Sequence, residues 1–283
     1  MIHHFVIFIL RCIPDWIKGK TRISKFLLKI FCLRNSDLII ALKSGHRLLV
    51  PNVKEPIAFS ILISGVYEPD VLNVIKDNLS QGDIFVDVGA NIGCFSIPLS
   101  TFVGLSGQIH SFEASPVISK YLQNNIQLNG LSNIFFNNMA VSDRDGLVSF
   151  YDAPIHKFGM GGLASVGFGS TLVEVPSICL DHYFQVPCKI KVLKIDVEGF
   201  EVCVLRGASK LLENNYVDLI IFEFLDWAEA RVPNHRPGDS QRYLMDHGFQ
   251  IWRLCDYLKG RKPLKNALET GGDMLVAKKV SYE

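Results

Sequence analysis

The sequence predicts an open, doubly wound α/β sheet, and three observations lead there. Near-continuous apolar runs recur ("IFVDVG" from Ile84, "KVLKIDVEG" from Lys191, "VDLIIFEF" from Val217), as parallel strands buried on both faces require. Segments with helical spacing separate them. A glycine-punctuated turn, "DVGANIG", follows the first run, at the strand end where such sheets receive ligands.

The elements can be justified in chain order. The apolar start is uninterrupted only over residues 5–10, against about 20 residues for a membrane span. It also lacks a charged leader and a cleavage site, so neither a signal peptide nor an anchor is read there. Ile23, Phe26, Leu27, Ile30 and Phe31 then share one helical face with basic residues opposite. That helix either packs on the domain or lies on a membrane surface or partner. Residues 38–53 read as a hairpin turning at Ser44-Gly45. Val71, Ile75 and Leu79 follow a Glu-Pro-Asp helix start.

Alternation begins at Ile84: a strand, a helix over 91–102, the strand "QIHSFEA", and a helix capped by Ser115 with Pro116 at its first position. "NIFFNNMAVS" is read as a third strand, with "RDG" turning into "LVSFYD". Residues 156–170 hold five glycines in fifteen and read as a mobile loop, either a surface insertion or a cover that closes over substrate. "EVCVLRGASKLLENN" is read as one helix between the fourth and fifth buried strands. A last helix ends at His247-Gly248, and "QIWRL" and "MLVAK" form a closing pair of strands.

Composition narrows the classes. A length of 283 residues suits one large domain or one domain with an extension. A formal charge of +1 supplies no bulk attraction to nucleic acid or to an anionic membrane. The seven cysteines form no CxxC and no CxH or HxC pair, so neither a zinc site nor a disulfide framework is expected. Free, mostly buried thiols in a reducing, cytoplasmic setting are expected instead.

The turn after the first strand carries the chemistry. Asp87 precedes Gly89 and Gly93 in a D-x-G-x-x-x-G spacing, not the G-x-G-x-x-G that bares a helix N-terminus to a pyrophosphate. A carboxylate there repels phosphates and attracts a cation. S-adenosylmethionine, with a sulfonium, an amino group and no phosphate, fits that charge. Glu113, twenty residues after Gly93 at the end of the second strand, stands where an acidic residue accepts hydrogen bonds from ribose hydroxyls. Asp196 and Glu198, two apart in "KIDVEG", share one face if the strand persists. Their desolvation is costly unless they meet a donor, a cation or substrate hydroxyls. A helix N-cap role for either is the competing reading.

The segments "FVDVGANIG", "FEASP", "AVSDRDG", "LDHYF", "LKIDVEGFEVCVLRGA" and "IIFEF", in this order and spacing, resemble the FkbM family of S-adenosylmethionine-dependent methyltransferases. The resemblance is densest over residues 66–224. It implies a class I methyltransferase (Rossmann-like) sheet of seven strands, six parallel and the last antiparallel, with helices on both faces. Residues 1–65 then form an N-terminal helical and hairpin extension, and residues 66–283 the methyltransferase domain. Methyl transfer to an oxygen of a sugar, glycan or secondary metabolite is implied. Position by position, Asp87, Gly89, Ala90, Asn91 and Gly93 match the cofactor loop, Glu113 with Ala114 the ribose contact, and Ser142-Asp143 the region near the adenine. Asp196 and Glu198 match the fourth-strand acidic motif, and Glu68 of "GVYEP" a methionine-end contact. Two departures are His182, where a second aspartate is common, and Pro98, which is expected to kink the helix after the cofactor loop.

A hydroxyl acceptor needs a general base, and Glu198 is the first candidate, with Asp196 orienting the cofactor or acceptor and Glu223 a third acidic neighbour. His156, His182 and His235 are loop alternatives. No paired aspartates followed by asparagine mark a catechol-type metal site, so no metal is expected, a cation bridging Asp196 and Glu198 being the open exception. The expected partner is a small-molecule or glycan acceptor, not nucleic acid, with membrane contact through the N-terminal helix left open. The rival readings are an N-methyltransferase, a non-catalytic protein of the same fold, and a nicotinamide oxidoreductase, which Asp87 disfavours.

Overall fold

The structure is a computed structural model that describes residues 11, 22–24, 37–53, 55–164, 169–185 and 187–279. The apolar run at residues 5–10 and most of the helix expected over 23–31 lie outside the described residues.

The hairpin pairs β1 (Leu38–Ala41) with β2 (Arg47–Val50), antiparallel, with Gly45 at φ 87° in its turn. Asn125 and Asn129 of the helix Ile118–Leu128 clasp β2 through its backbone: Leu49 N–H donates to Asn125 Oδ1 at 2.6 Å and Arg47 N–H to Asn129 Oδ1 at 2.8 Å. The stretch before the first central strand holds two helices, Pro56–Ser64 and Pro69–Asp77, the second beginning at the expected Glu-Pro-Asp.

Seven strands form the central sheet: β3 (Ile84–Val88), β4 (Gln108–Phe112), β5 (Ile134–Asn137), β9 (Ile190–Ile195), β10 (Val217–Leu225), β11 (Phe249–Arg253) and β12 (Gly272–Lys279). Their order is β11-β12-β10-β9-β3-β4-β5, and β12 alone runs antiparallel to its neighbours β10 and β11. This is the class I methyltransferase arrangement. The chain steps outward from β3 to β5 and then returns to β9 on the other side of β3. That reversal opens a crevice at the carboxyl ends of β3, β4 and β9.

Strand alternation feeds two cores. Phe85, Val192, Leu219 and Ile221 join the cluster on one face, while Val86, Leu193, Ile220 and Phe222 join the cluster on the other. Each such side chain contributes about 1.5–3 kcal/mol on full burial. Truncating Phe85, which is fully buried, to alanine removes about 3–5 kcal/mol.

Several elements differ from the expectation. "NIFFNNMAVS" is not one strand: β5 stops at Asn137, and Ala140–Val141 (β6) joins a separate three-stranded sheet with β7 (Gly146–Asp152) and β8 (Thr171–Ile178), in the order β6-β8-β7. The helix after β9 breaks into Glu201–Arg206 and Ser209–Glu213. At the break, a Cβ on Gly207 would stand 2.0 Å from the Ser142 carbonyl oxygen. Pro98 needs no kink, because the helix begins only at Ser96 and Pro98 falls in its first turn, where N–H groups lack intrahelical acceptors anyway. Residues 155–160 of the glycine-rich stretch form a 3₁₀ helix, and Gly162 bridges to Tyr151. Among the described residues, Cys94, Cys179 and Cys203 are buried free thiols, and no single helix is long and apolar enough to cross a membrane.

Candidate active site

At the carboxyl ends of β3, β4 and β9 lies a cleft of about 1050 Å³, its mouth open to solvent included. Its floor is the turn after β3. Gly89 adopts φ 79°, and a Cβ there would stand 1.9 Å from the Asp196 carbonyl oxygen, so only glycine allows β3 and β9 to approach at this point. Gly89 N–H and Ala90 N–H both donate to the Phe112 carbonyl, at 3.0 and 2.9 Å, which ties the turn to the end of β4.

One end of the cleft is built around Glu113. Its Oε2 accepts the Asn91 N–H at 2.9 Å and its Oε1 accepts the Ser115 N–H at 2.8 Å. Burial raises its pKa to about 7 despite those two donors, with Asp152 and Asp87 adding repulsion. Each oxygen keeps a second lone pair for a ligand hydroxyl. Phe112, Met139, Ala140, Val141 and Phe150 supply apolar walls beside it.

The other end gathers Asp196, Glu198 and Glu223, whose carboxylate oxygens lie within 4.8 Å of one another and could hold a divalent cation. Strand alternation does not bring Asp196 and Glu198 together, because β9 ends at Ile195 and Glu198 sits at φ 55° in a left-handed turn. Neither caps the next helix. The turn is instead held by Glu201, whose Oε1 accepts the Val197 and Gly199 N–H groups at 3.1 and 3.3 Å. Burial, then the charge of Asp196, raises Glu198 to about 8, with Arg231 pulling the other way. Burial, then Asp196 and Glu198, raises Glu223 to about 9.

Lys194 lies between these ends, 1% exposed. Its Nζ stands 3.2 Å from Asp196 Oδ2, 3.6 Å from Asp87 Oδ1 and 5.0 Å from the centre of the Phe95 ring. Burial opposes its charge, but Asp196, Asp87 and Glu68 outweigh burial and hold the ammonium above its ordinary pKa. Glu68 faces the same charge from a left-handed residue, φ 38°, and its Oε2 is buried with no hydrogen bond among the described residues.

Of the residues the sequence nominates, Glu68, Gly89, Ala90, Asn91, Glu113, Ala114, Asp196, Glu198 and Glu223 line this cleft. Asp87, Gly93, Ser142 and Asp143 do not. Asp87 is fully buried beneath the floor, taking the Ser96 hydroxyl at 2.6 Å and facing Lys194. The cation this carboxylate meets is therefore a side chain of the protein and not a ligand. Gly93 packs against helices, its Cβ position 2.8 Å from Ile97 Cγ1 and 3.0 Å from Leu122 Cδ1. Ser142 is pressed on Gly207, and Asp143 is exposed. His156, His182 and His235 also lie off the cleft wall.

The sequence reading missed Lys194, whereas a cover was one of its two readings of residues 156–170. A lysine inside the buried run "KVLKIDVEG" is a signal in itself, since a charge there must be paired. The cover is the 3₁₀ helix Ile155–Met160 and the residues just after it, with Phe158, Gly159, Gly161, Gly162 and Leu163 lining the cleft. Glu55 receives hydrogen bonds from the Ile57 and Ala58 N–H groups at 2.8 and 3.2 Å and also from the Gly159 backbone, so one carboxylate both caps a helix and fastens the cover. A Cβ on Gly162 would lie 3.4 Å from Glu198 Cβ.

Comparison with known proteins gives the following. The family model "Methyltransferase FkbM domain" matches residues 87–251, more than half of the chain. A hexuronic acid methyltransferase, AglP, of Haloferax volcanii is 28% identical over 157 residues, which cover 55% of this chain and 62% of that protein. The match thus spans less than two thirds of that relative's length. Among solved structures, an SAM-dependent O-methyltransferase from Thermotoga maritima is 16% identical with a TM-score of 0.43, covering 91% of this chain and 82% of its own. A precorrin-6y C5,15-methyltransferase from Geobacter metallireducens is 14% identical with a TM-score of 0.43, covering 76% and 88%.

Proposed function

The chain belongs to the FkbM family of methyltransferases, and from that premise we propose that it transfers a methyl group from S-adenosylmethionine to a hydroxyl oxygen of a sugar, with a hexuronic acid residue as the favoured acceptor. The observation that carries the reading is the charge of the cleft. Glu68, Glu113, Asp196, Glu198 and Glu223 line it, against one lining ammonium among the described residues, Lys194, already shared with Asp87. Such a wall suits a ligand that is cationic and free of phosphate, and it repels a dinucleotide.

S-adenosylmethionine supplies a methyl group on a positively charged sulfur. The residues of the chain then have distinct tasks. Glu113, pre-aligned by two backbone N–H groups, accepts the ribose hydroxyls. The orphaned oxygen of Glu68 and the free oxygen of Asp196 face the cofactor's amino group. Lys194 fixes Asp196 and neutralises Asp87 beneath the floor. Glu198 takes the acceptor's proton at its carboxylate, its pKa of about 8 matching a base that works near neutral pH. The cover over Glu198 excludes water and helps hold the acceptor oxygen in line.

A uronic acid offers both hydroxyl and carboxylate oxygens. The charge of Asp196, which already raises Glu198 and Glu223, repels an approaching carboxylate, which favours the hydroxyl. The test is incubation of the protein with methyl-labelled donor and a panel of neutral and uronic-acid glycans, followed by mild alkali. An alkali-stable methyl ether on a uronic-acid glycan is expected. A label released by alkali would mean an ester and overturn the hydroxyl assignment, and label on protein amides alone would overturn the acceptor class.

A further inference from the structure

We propose that Asp145, Cys179 and His182 form a binding site for a thiophilic divalent cation of the zinc type, outside the cleft and independent of methyl transfer. Three pieces of chain converge there: the turn between β6 and β7 brings Asp145, the residue after β8 is Cys179, and the helix Leu180–Tyr183 carries His182. One carboxylate oxygen, the thiol sulfur and one imidazole nitrogen lie within 4.8 Å of one another. Oxygen, nitrogen and sulfur together are the donor set that zinc selects.

Asp145 is at present the hub. Its Oδ2 lies 2.7 Å from His182 Nδ1, its Oδ1 accepts the Cys179 N–H at 2.7 Å, and the Cys179 thiol bonds to the same carboxylate. Asp145 stands 34 residues upstream of Cys179 in the C-x-x-H pair, a separation that no local motif spans.

Coordination balances as follows. The Cys179 S–H bond breaks, its proton leaves to solvent, and a metal–sulfur bond forms. His182 binds through Nδ1, with its single ring proton on the opposite nitrogen, Nε2. The carboxylate binds through Oδ2. Metal bonds of about 2.0–2.1 Å to nitrogen and oxygen in a tetrahedron need those two atoms roughly 3.3 Å apart. The Asp145 and His182 side chains, 49% and 59% exposed, are free to separate by that amount. Three protein ligands leave one position for water. The ion would staple the β6–β7 turn to the end of β8, next to Tyr183, whose ring packs 4.9 Å from that of the cleft residue Phe112.

Cobalt(II) titration of the purified full chain tests the site, with zinc competition and thermal melting alongside. The wild type should show a thiolate-to-cobalt charge-transfer band in the near ultraviolet and the visible bands of a four-coordinate ion, both abolished by zinc. Zinc should also raise its melting temperature in a concentration-dependent way. His182→Ala, on an exposed residue, should fold normally and weaken zinc by more than the roughly 10- to 100-fold that loss of an outer-sphere partner costs. Cys179→Ser should lose the charge-transfer band. Absence of that band in the wild type would overturn the proposal, and so would a band and melting shift that persist unchanged in His182→Ala, since cobalt would then be held by other thiols.

Discussion

Glu113 at one end of the cleft is a buried glutamate and Glu198 with Glu223 at the other are half-buried ones, and the two ends are held in opposite ways. Glu113 receives two backbone N–H groups, so its geometry is fixed before any ligand arrives. Burial and then the charge of Asp196 raise both Glu198 and Glu223, and among the described residues no backbone N–H donates to either carboxylate. The first arrangement makes a rigid acceptor that changes little on binding. The second stores unfavourable charge that a proton or a cation relieves, which is what a group that must gain a proton during turnover requires. The same residue type thus serves recognition where the backbone satisfies it and proton transfer where only charge surrounds it.

The sharpest way to break this contrast is Glu198→Gln. Methyl transfer should fall by about 10²–10⁴-fold while the donor's Kd, measured by calorimetry, stays within a few-fold. Normal turnover by this variant would remove Glu198 from the role of base. Lys194→Met comes next, because it strips the cation from a fully buried Asp87 and should cost about 3–5 kcal/mol in a denaturant titration. A loss below about 1 kcal/mol would mean that Asp87 is held neutral. Glu113→Ala tests the recognition end: losing hydrogen bonds to a charged group costs about 1.5–3 kcal/mol, or roughly a 10- to 100-fold weaker donor Kd.

The smallest effects are in pH. The folded values of about 8 for Glu198 and about 9 for Glu223 stand above the ordinary 4.5, so between those limits the folded state binds more protons than the unfolded chain. Stability of the ligand-free protein should therefore decline as pH rises from about 5 to 9. Glu223→Gln should flatten that decline in melting curves. For the same reason kcat/KM should climb with pH through about 8, and an activity profile already flat above pH 6 would contradict the assignment.

Much of the fold was legible because it rests on local pattern. Alternating buried runs announced β3, β4, β9 and β10, whereas the helix expected to open at Pro116 begins at Ile118 with Val117 as its cap residue, Ser115 Oγ still accepting the Ile118 N–H at 3.0 Å. The small sheet was not legible: β8, "TLVEVPSI", alternates too weakly to stand out, and β6 is two residues long. Its strands exist because β7 pairs with β8 along seven residues, a long-range condition that no local window contains.

By itself the sequence determined the glycine that lets β3 meet β9, the acidic residues near the strand ends, and the family to which they belong. Only the tertiary structure decided which acid faces a ligand. Asp87 and Glu113 each end a strand beside the same crevice, but Lys194 arrives from β9 to claim Asp87, while Glu113 keeps its open lone pairs. A carboxylate's task depends on the charge and donors within a few ångströms, and for Asp87 that charge comes from a chain segment about a hundred residues away.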